Sequence, residues 1–423
     1  MINRTPLARF RPLGDGPLLR PIYADYAFAN LPATVEFLLT GERRRPLLPA
    51  DCFGGSYPGP RKVVLILIDA FAWESWQAYH RHFRAMRRVV EHGTLTPISA
   101  LFPSTTTAAV ATLHLGVLPS EHALYEWNIY IPAYGEVIQS LAFCPLGRHR
   151  QDDCLKRGFA PERLLAVHGT VHRRLAERGV RSLSFAHRSY ADSAFNRMVH
   201  AGAEIVSHQS LAEGLVQLRE ALLATPGKAW FNFYWAGIDT MAHIYGPGSG
   251  YHAAEIASFW HTFDAVFADV TSPDTLYIFT ADHGHVGARA EATFYLNERL
   301  PELAGCLARS PTGAPIYPNG SPRDIFLHVK GERREEVLGV LNRALGDVAV
   351  VLPVDGALRE GLFGEEPVGE ELRRRLGDIV VLPHLGTFIW WREPGIMSNP
   401  FNGHHGGLSQ EELVTVIGAV DAL

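Results

Sequence analysis

The feature that most constrains the fold of this chain is an unbroken aliphatic run at residues 63–68, which stops at Asp69. Such a run is typical of a strand buried on both faces, as in a parallel sheet, because successive strand side chains point to opposite faces. Further apolar runs alternate with helical patterns, which predicts an α/β fold with a doubly wound, mostly parallel sheet flanked by helices. The predicted strands are 63–68, 94–101, 181–186, 229–235 and 275–280, and the predicted helices are 31–39, 71–90, 106–115, 164–178, 211–224 and 253–267.

The regular alternation of predicted strands and helices ends after residue 287, and strand-like segments there surround a helical pattern at 333–345. At 423 residues the chain is longer than one hydrophobic core usually supports. We therefore predict a main domain formed by residues 1–287 plus 388–423. Residues 288–387 are predicted to form an inserted smaller α+β subdomain.

The composition of the chain makes some classes of partner and some cellular locations less expected than others. A formal net charge of −5 gives no broad basic surface, so a nucleic-acid polymer is not an expected partner. No apolar stretch reaches the length of a membrane span, and the N-terminus lacks the apolar core of a signal peptide. The cysteines form no CxxC pair, which favours a reducing compartment, and we expect a cytoplasmic protein with no membrane partner. The cysteines are Cys52, Cys144, Cys154 and Cys306.

Three aspartates follow predicted strands: Asp69, Asp239 and Asp282. Ligands of open α/β sheets bind beyond the carboxyl ends of the strands, so these side chains are expected to converge. Carboxylates gathered in one buried place repel one another, and bound cations relieve that repulsion. Taken singly, an aspartate at a strand end is more often a helix cap or a turn residue. The joint pattern, with histidines beside the aspartates, favours a metal site.

Histidines occur where such a site needs further ligands. His243 lies four residues after Asp239, so both can face one direction on a helical turn, and His283 directly follows Asp282. His404 and His405 lie between glycines that allow close approach of the backbone. Imidazole and carboxylate ligands without thiolate suit Zn²⁺ best and Mn²⁺ less well. The set exceeds the needs of one tetrahedral ion and fits two ions about 4 Å apart.

A run of hydroxyl residues, Ser104 and Thr105 to Thr107, follows Pro103 and opens an alanine-rich helical pattern. A hydroxyl at a helix N-terminus lies among free N–H groups, where a phosphate group docks readily. Coordination to zinc would also ease its ionisation. These hydroxyls can equally be simple helix caps, and the neighbouring metal ligands favour nucleophilic catalysis instead.

Taken together, these motifs resemble the alkaline phosphatase superfamily, and most closely its type I phosphodiesterase/nucleotide pyrophosphatase branch. The resemblance runs from the strand before Asp69 to residues 403–407, which is most of the chain. It implies an alkaline-phosphatase-like fold. The motifs are Leu67-Ile68-Asp69-Ala70, Phe102-Pro103-Ser104-Thr105-Thr106-Thr107, Gly116-Val117-Leu118-Pro119-Ser120-Glu121-His122, Gly237-Ile238-Asp239-Thr240-Met241-Ala242-His243, Thr280-Ala281-Asp282-His283-Gly284 and Gly403-His404-His405-Gly406.

The resemblance also implies a mechanism. The nucleophile attacks phosphorus in line and forms a phospho-enzyme, which water then hydrolyses with the help of two zinc ions. Thr106 is the implied nucleophile, because it stands three residues after Pro103 and at the family's distance from Gly116. One zinc ion is expected on Asp239, His243 and His405, and the other on Asp69, Asp282, His283 and Thr106.

The sequence departs from the family pattern just after the nucleophile, where Ala108-Ala109-Val110-Ala111 replaces the Pro-Asn-His-Tyr that this branch often carries. The family also places an asparagine near the phosphate oxygen, after the His122 segment. Asn128 is the nearest candidate, one residue later than the usual spacing.

We predict hydrolysis of a small phosphorylated substrate, either a phosphate diester or a nucleotide pyrophosphate. Tyr125, Trp127 or Trp235 could stack on a nucleotide base or another flat leaving group, or could simply pack the core. A monoester phosphatase or phosphonate hydrolase is the alternative, with Arg188 as a candidate for the extra positive charge. A sulfatase is disfavoured because the Cys-x-Pro-x-Arg pattern that such enzymes modify is missing. A cofactor-independent phosphoglycerate mutase is also disfavoured, because it would be expected to use a serine nucleophile and manganese, whereas the implied nucleophile here is a threonine. A non-catalytic metal or phosphate binder is a further alternative. The sequence does not specify the oligomeric state.

Overall fold

The computed structural model describes residues 1–148, 150–167, 169–365 and 367–423. Its strands are β1 (Lys62–Ile68), β2 (Thr94–Ser99), β3 (Asn128–Ile131), β4 (Glu136–Gln139), β5 (Cys144–Pro145), β6 (Arg181–His187), β7 (Glu204–His208), β8 (Ala229–Trp235), β9 (Thr275–Thr280), β10 (Val286–Gly287), β11 (Phe294–Tyr295), β12 (Asn319–Ser321), β13 (Asp324–Leu327), β14 (Ala349–Pro353), β15 (Ile379–Pro383), β16 (Ile389–Trp390), β17 (Gly403–His404) and β18 (Val414–Val420).

The α-helices are α1 (Leu31–Thr40), α2 (Trp73–Tyr79), α3 (Arg84–His92), α4 (Thr106–Leu115), α5 (Pro119–His122), α6 (Asp153–Lys156), α7 (Val171–Ala176), α8 (Ala194–Val199), α9 (Leu211–Ala224), α10 (Gly237–Tyr245), α11 (Gly250–Val266), α12 (Leu296–Arg299), α13 (Arg334–Leu345), α14 (Val354–Arg359), α15 (Glu370–Leu376) and α16 (Gln410–Leu413). Short 3-10 helices span Thr5–Arg9, Phe28–Asn30, Ala50–Phe53, Pro161–Leu164, Ala290–Ala292, Pro301–Cys306 and Gly331–Arg333. Within the described ranges, no helix is both long and apolar enough to traverse a bilayer.

A central seven-stranded sheet runs in the order β2-β18-β9-β1-β8-β6-β7. The strands β9, β1, β8, β6 and β7 pair in parallel, whereas β18 runs antiparallel to both of its neighbours. The prediction of a mostly parallel α/β sheet is therefore confirmed.

The aliphatic run of β1 is explained by its place in the middle of this sheet. Its side chains alternate between two hydrophobic cores, one on each face. Val63, Leu65 and Leu67 enter the core that packs against α1, α4 and α7. The intervening Val64, Ile66 and Ile68 enter the core that packs against α3, α9 and α11. Each buried aliphatic side chain contributes roughly 1.5–3 kcal/mol to the stability of the fold. Because both faces of β1 are buried, apolar residues are needed at odd and even positions alike.

A second seven-stranded sheet has the order β14-β15-β13-β12-β3-β4-β5. The predicted insert at 288–387 supplies the strands β12 to β15. The strands β3 to β5 come from residues 128–145, and a pairing of Gly320 with Asn128 joins the two groups. The second sheet thus draws on two distant parts of the chain, and the boundaries at 288 and 387 stay a prediction.

Several helix bounds differ from those expected. The segment 71–90 forms two helices, α2 and α3, rather than one. The break has a physical cause: the first amides of α3, on Arg84 and Ala85, donate to the Asp264 carboxylate of α11 at 2.7 and 2.8 Å. This carboxylate caps the start of α3. The expected helix 164–178 is shorter and begins at Val171.

Candidate metal centre

The three predicted aspartates lie at the same edge of the central sheet. Asp69 directly follows β1, and Asp282 comes two residues after the end of β9. Asp239 lies in the first turn of α10, which begins shortly after β8. Because β1 pairs in parallel with both β8 and β9, the carboxyl ends of these strands converge. The sheet topology therefore brings the three carboxylates to one site.

One group of ligands joins Asp69, Asp282 and His283, all buried. The Nε2 atom of His283 lies 3.4 Å from a carboxylate oxygen of each aspartate. The Thr106 hydroxyl completes this group, with Oγ1 3.3 Å from Asp69 Oδ2 and 3.1 Å from His283 Nε2. The residues expected to share one ion are thus within reach of a single position.

A second group surrounds Asp239. The Nε2 atom of His243 is 3.5 Å from its carboxylate, and that of His405 is 3.9 Å away. His285 lies closer, with Nε2 3.3 Å from Asp239 Oδ1, and it was not predicted from the sequence as a ligand. Its position two residues after His283 is the sequence feature that could have indicated a ligand role. The neighbouring His404 instead points to Asn399, with Nε2 2.7 Å from the amide oxygen.

Backbone carbonyls orient the predicted ligand histidines. The Nδ1 atom of His243 lies 2.8 Å from the carbonyl oxygen of Gly403, and that of His405 lies 2.9 Å from the carbonyl of Ser104. For His283 the corresponding distance, to the carbonyl of Gly284, is 3.0 Å. A carbonyl only accepts, so each Nδ1 carries the proton and each Nε2 keeps a lone pair. These contacts fix the rings in the tautomer that coordinates a metal through Nε2.

The carboxylates are arranged for cations. Burial, and then the charges of Asp282 and Asp239, raise the pKa of Asp69 well above its usual value. One oxygen of each of the three carboxylates is buried and has no hydrogen-bond partner in the part of the chain that the structure describes. Buried polar atoms without partners are expensive. Two divalent ions would satisfy these oxygens and cancel the repulsion, so the residues present fit a metal pair.

The pKa values of His243 and His405 are also shifted in the direction that favours metal binding. Burial lowers the pKa of His243, and it lowers the pKa of His405 well below the usual value. Both rings are therefore neutral near pH 7, which is the form that binds metals.

Only one hydroxyl of the threonine run faces the ligands. Thr105 is the N-cap of α4: its Oγ1 accepts from the Ala108 amide and donates to the Tyr125 carbonyl. The Thr107 hydroxyl is buried against Ser140 Oγ at 3.2 Å. Thr106 begins the helix, and its hydroxyl reaches Asp69 and His283. The site geometry thus favours Thr106 over its two neighbours.

The loop before α4 is tied to the loop that carries His405. The Ser104 amide donates to the Gly406 carbonyl at 3.3 Å, and the Ser104 hydroxyl donates to the Gly407 carbonyl at 2.8 Å. Gly406 has a φ of 122°, and a Cβ there would lie 2.7 Å from both Ser321 Oγ and Asp324 Oδ1. Only glycine fits this conformation and this spacing.

The remaining predicted residues lie outside the two ligand groups. The Asn128 amide donates to the Gly320 carbonyl at 3.0 Å, within the second sheet, and its phosphate role stays a prediction. Tyr125 is buried and donates to Asn319 Oδ1, so it packs the core. Trp235 is half-buried and donates to Glu255, whereas Trp127 is exposed. Arg188 is exposed just after β6.

Comparison with protein families gives a match over residues 63–407, to the model described as type I phosphodiesterase / nucleotide pyrophosphatase. This match covers more than half of the chain and includes every predicted metal ligand. A search of curated protein sequences finds no match.

Solved structures share the fold at low sequence identity. Murine ectonucleotide pyrophosphatase/phosphodiesterase 5, an inactive variant in complex with AMP, is 14% identical with a TM-score of 0.63, over 85% of this chain and 87% of that one. The human protein of the same name is 15% identical with a TM-score of 0.62, over 85% and 87%. Phosphonoacetate hydrolase from Sinorhizobium meliloti, in complex with phosphonoacetate, is 17% identical with a TM-score of 0.59, over 86% and 92%.

Proposed function

This chain belongs to the type I phosphodiesterase/nucleotide pyrophosphatase family of the alkaline phosphatase superfamily, whose members are hydrolytic enzymes, and from this premise we propose that it hydrolyses phosphate diesters or nucleotide pyrophosphates through Thr106. One observation carries the proposal. The Thr106 hydroxyl opens α4 and lies within 3.3 Å of Asp69 and His283, beside two buried carboxylate oxygens, Asp69 Oδ1 and Asp282 Oδ2, that have no hydrogen-bond partner in the described residues.

We propose two zinc ions as the cofactors, with Mn²⁺ as the alternative. One ion would be held by Asp69, Asp282, His283 and Thr106, and the other by Asp239, His243 and His405. When bound, the ions supply positive charge that stabilises both the attacking and the leaving oxygen of an in-line displacement. Imidazole and carboxylate donors without thiolate support this choice.

The chain's own groups then define the reaction. Thr106 Oγ loses its proton and attacks phosphorus, a new phosphorus–oxygen bond forms, the bond to the leaving group breaks on the opposite side, and the leaving oxygen takes up a proton. Amides at the N-terminus of α4 other than that of Ala108, which bonds to Thr105, would face the phosphoryl oxygens, as in other anion sites at helix N-termini. Water then attacks the same phosphorus, the bond to Thr106 Oγ breaks, and this oxygen takes up a proton, which releases the phosphate product and restores the threonine hydroxyl.

A second candidate is hydrolysis of a monoester or a phosphonate. The likeness to phosphonoacetate hydrolase, which extends over 92% of that chain, favours it. The likeness to the AMP complex favours a nucleotide ester instead. Both reactions suit the same ligands and nucleophile, so the choice depends on contacts with the rest of the substrate.

A substrate panel tests this choice. We expect the zinc-loaded protein to hydrolyse bis(p-nitrophenyl) phosphate or a nucleotide ester faster than p-nitrophenyl phosphate or phosphonoacetate, as measured by kcat/KM. A preference for the monoester or the phosphonate would replace the first candidate with the second.

The nucleophile is tested with Thr106→Ala and the matched control Thr107→Ala. We expect Thr106→Ala to lose about 10³-fold or more in kcat, because the attacking oxygen is gone, while zinc content stays near normal. Thr107→Ala removes a hydroxyl that faces Ser140 and should retain most turnover. Retained activity in Thr106→Ala would assign the attack to another group or to water.

A further inference from the structure

Three buried histidines form a cluster apart from the catalytic groups. His114 lies in the last turn of α4, His172 near the start of α7, and His200 directly after α8. One ring nitrogen of each lies within 4.8 Å of the others. His114 is eight residues beyond Thr106, which places it about 12 Å along the helix at a rise of about 1.5 Å per residue. The cluster is thus at the opposite end of the helix that presents the nucleophile.

The hydrogen bonds of this cluster are incomplete. The Nδ1 atom of His114 lies 2.9 Å from Nε2 of His172. The Nδ1 atoms of His172 and His200 are buried and have no partner among the described residues. Burial lowers the pKa of all three rings, to about 4 for His200, so they are neutral near pH 7. One of the two nitrogens in the contact between His114 and His172 carries the proton, so that ring must change its tautomer before both nitrogens can donate a lone pair to a cation; a neutral imidazole makes this change without a change in charge.

The surrounding backbone also favours positive charge. His114 lies at the C-terminal end of α4, and His200 is the C-cap residue of α8. Helix C-termini carry partial negative charge from carbonyls that have no helical partner. Two such ends meet at the cluster and offset part of the free energy needed to bury a cation between neutral ligands.

A cavity of about 420 Å³ lies near the cluster. It is lined in part by Leu115, Arg173 and Ala201, each of which is the next residue after one of the three histidines, while the buried imidazoles themselves are not among its lining residues. A metal ion, and the water or other small ligand that fills its fourth tetrahedral position, need a path from solvent, and this cavity is where that path would begin.

We propose that His114, His172 and His200 bind a third divalent ion, of the zinc type, which joins α4, α7 and α8. Zinc–nitrogen bonds of about 2.0–2.1 Å in a tetrahedron place ligand nitrogens about 3.3 Å apart. The contact between His114 and His172 therefore opens by only a few tenths of an ångström when the ion enters. The site is structural and does not depend on the proposed hydrolytic function.

The experiment measures zinc per chain in protein grown with zinc and desalted. His172→Phe removes one ligand and keeps a ring that can stack on Trp230, whose centroid is 4.7 Å from the histidine ring. The matched control is His208→Phe, because His208 is also buried and stacks on Phe233 at 5.5 Å. We expect His172→Phe to hold one equivalent less than both the wild type and His208→Phe. Equal zinc content in the two variants would overturn the proposal.

Two further measurements separate this site from the catalytic one. The double variant Asp69→Asn/Asp239→Asn should retain one equivalent of zinc. Adding His172→Phe to this double variant should remove that equivalent. Crystals of the zinc-loaded wild type should give an anomalous peak at the zinc absorption edge between the three imidazoles, whether or not the variants fold. Absence of that peak refutes the third site and leaves the catalytic proposal untouched.

Discussion

A buried ion pair between Arg323, which lies between β12 and β13 of the second sheet, and Glu412 of α16 offers a quantitative test of how much this contact stabilises the fold. Both side chains are fully buried. The guanidinium donates to the two oxygens of Glu412 at 2.9 Å each, and to the carbonyls of His384 and Thr387 at 2.8 and 2.5 Å. Glu412 in turn accepts from the Gly407 amide at 3.0 Å, in the loop that follows His405.

Arg323→Met removes the cation and keeps much of the side-chain volume, so a buried carboxylate remains without its partner. Breaking such a pair costs about 3–5 kcal/mol in the free energy of unfolding. The double variant Arg323→Met/Glu412→Gln removes the charge but keeps an oxygen for the Gly407 amide. We expect the double variant to recover about 2 kcal/mol or more of that loss, because the buried charge is the largest unfavourable contribution.

The pH dependence of this effect has a definite sign. Burial alone would raise the pKa of Glu412, but Arg323 lowers it below its usual value. The folded wild type therefore keeps this carboxylate ionised, and the stability that it contributes is lost as pH falls through the lowered pKa. In Arg323→Met burial is opposed by the hydrogen bonds from the Gly407 and Ser409 amides but no longer by the guanidinium, so the pKa of Glu412 rises relative to the wild type and the variant loses stability relative to the wild type as pH rises. The difference between the two proteins should be larger at pH 8 than at pH 5.

Urea unfolding in EDTA, followed by both tryptophan fluorescence and circular dichroism, measures these differences. Coincident transitions from the two probes justify a single free energy of unfolding. A loss below about 1 kcal/mol in Arg323→Met at pH 8 would contradict the cost of a broken buried pair. A double variant no more stable than the single one would refute the assignment of that cost to the uncompensated Glu412 charge.

Three further predictions concern the metal centre. Tyr234→Phe removes the hydroxyl that donates to Asp69, so zinc affinity in a chelator competition should fall about 10–100-fold; unchanged affinity would contradict this role. The raised pKa of Asp69 means that its own contribution to stability falls as pH rises, whereas the buried histidines with lowered pKa values act in the opposite direction. The Tm of Asp69→Asn minus that of the metal-free wild type should therefore increase from pH 5 to 8, and a difference that stays constant or decreases would refute this. Gly406→Ala forces a Cβ against Ser321 and should lower both zinc content and Tm, whereas Gly248→Ala, also at positive φ but in open space, should lower neither as much.

The central sheet could be predicted because its strands are buried on both faces. The apolar runs of β1, β8 and β9 follow directly from that burial. The aspartates after these strands then had to meet, because parallel neighbours share one carboxyl edge. The residue types alone left three equivalent threonine hydroxyls, the family resemblance implied Thr106, and the packing of α4 brings this hydroxyl to Asp69 and His283.

Other features depend on contacts that no local pattern contains. β18 lies antiparallel between β2 and β9, and its place is set by pairing rather than by its own residues. The strands β3 to β5 are short and join a sheet whose other members lie almost 200 residues later, as in the pairing of Asn128 with Gly320. His285 lies two residues after the predicted ligand His283, yet the direction of its side chain depends on the loop after β9. The three clustered histidines come from separate helices, and only the fold brings them together.

The bonds between Ser104 and the Gly406–Gly407 segment have a practical meaning for redesign. They tie the start of α4, which bears the proposed nucleophile, to the loop that carries His405, through one backbone–backbone bond and two bonds of the Ser104 hydroxyl, and the His405 ring also contacts the Ser104 carbonyl. The separation of the Thr106 oxygen from that imidazole is therefore set by the contacts of Ser104. Side chains that contact the rest of the substrate can consequently be exchanged to change selectivity while the reacting groups keep their spacing.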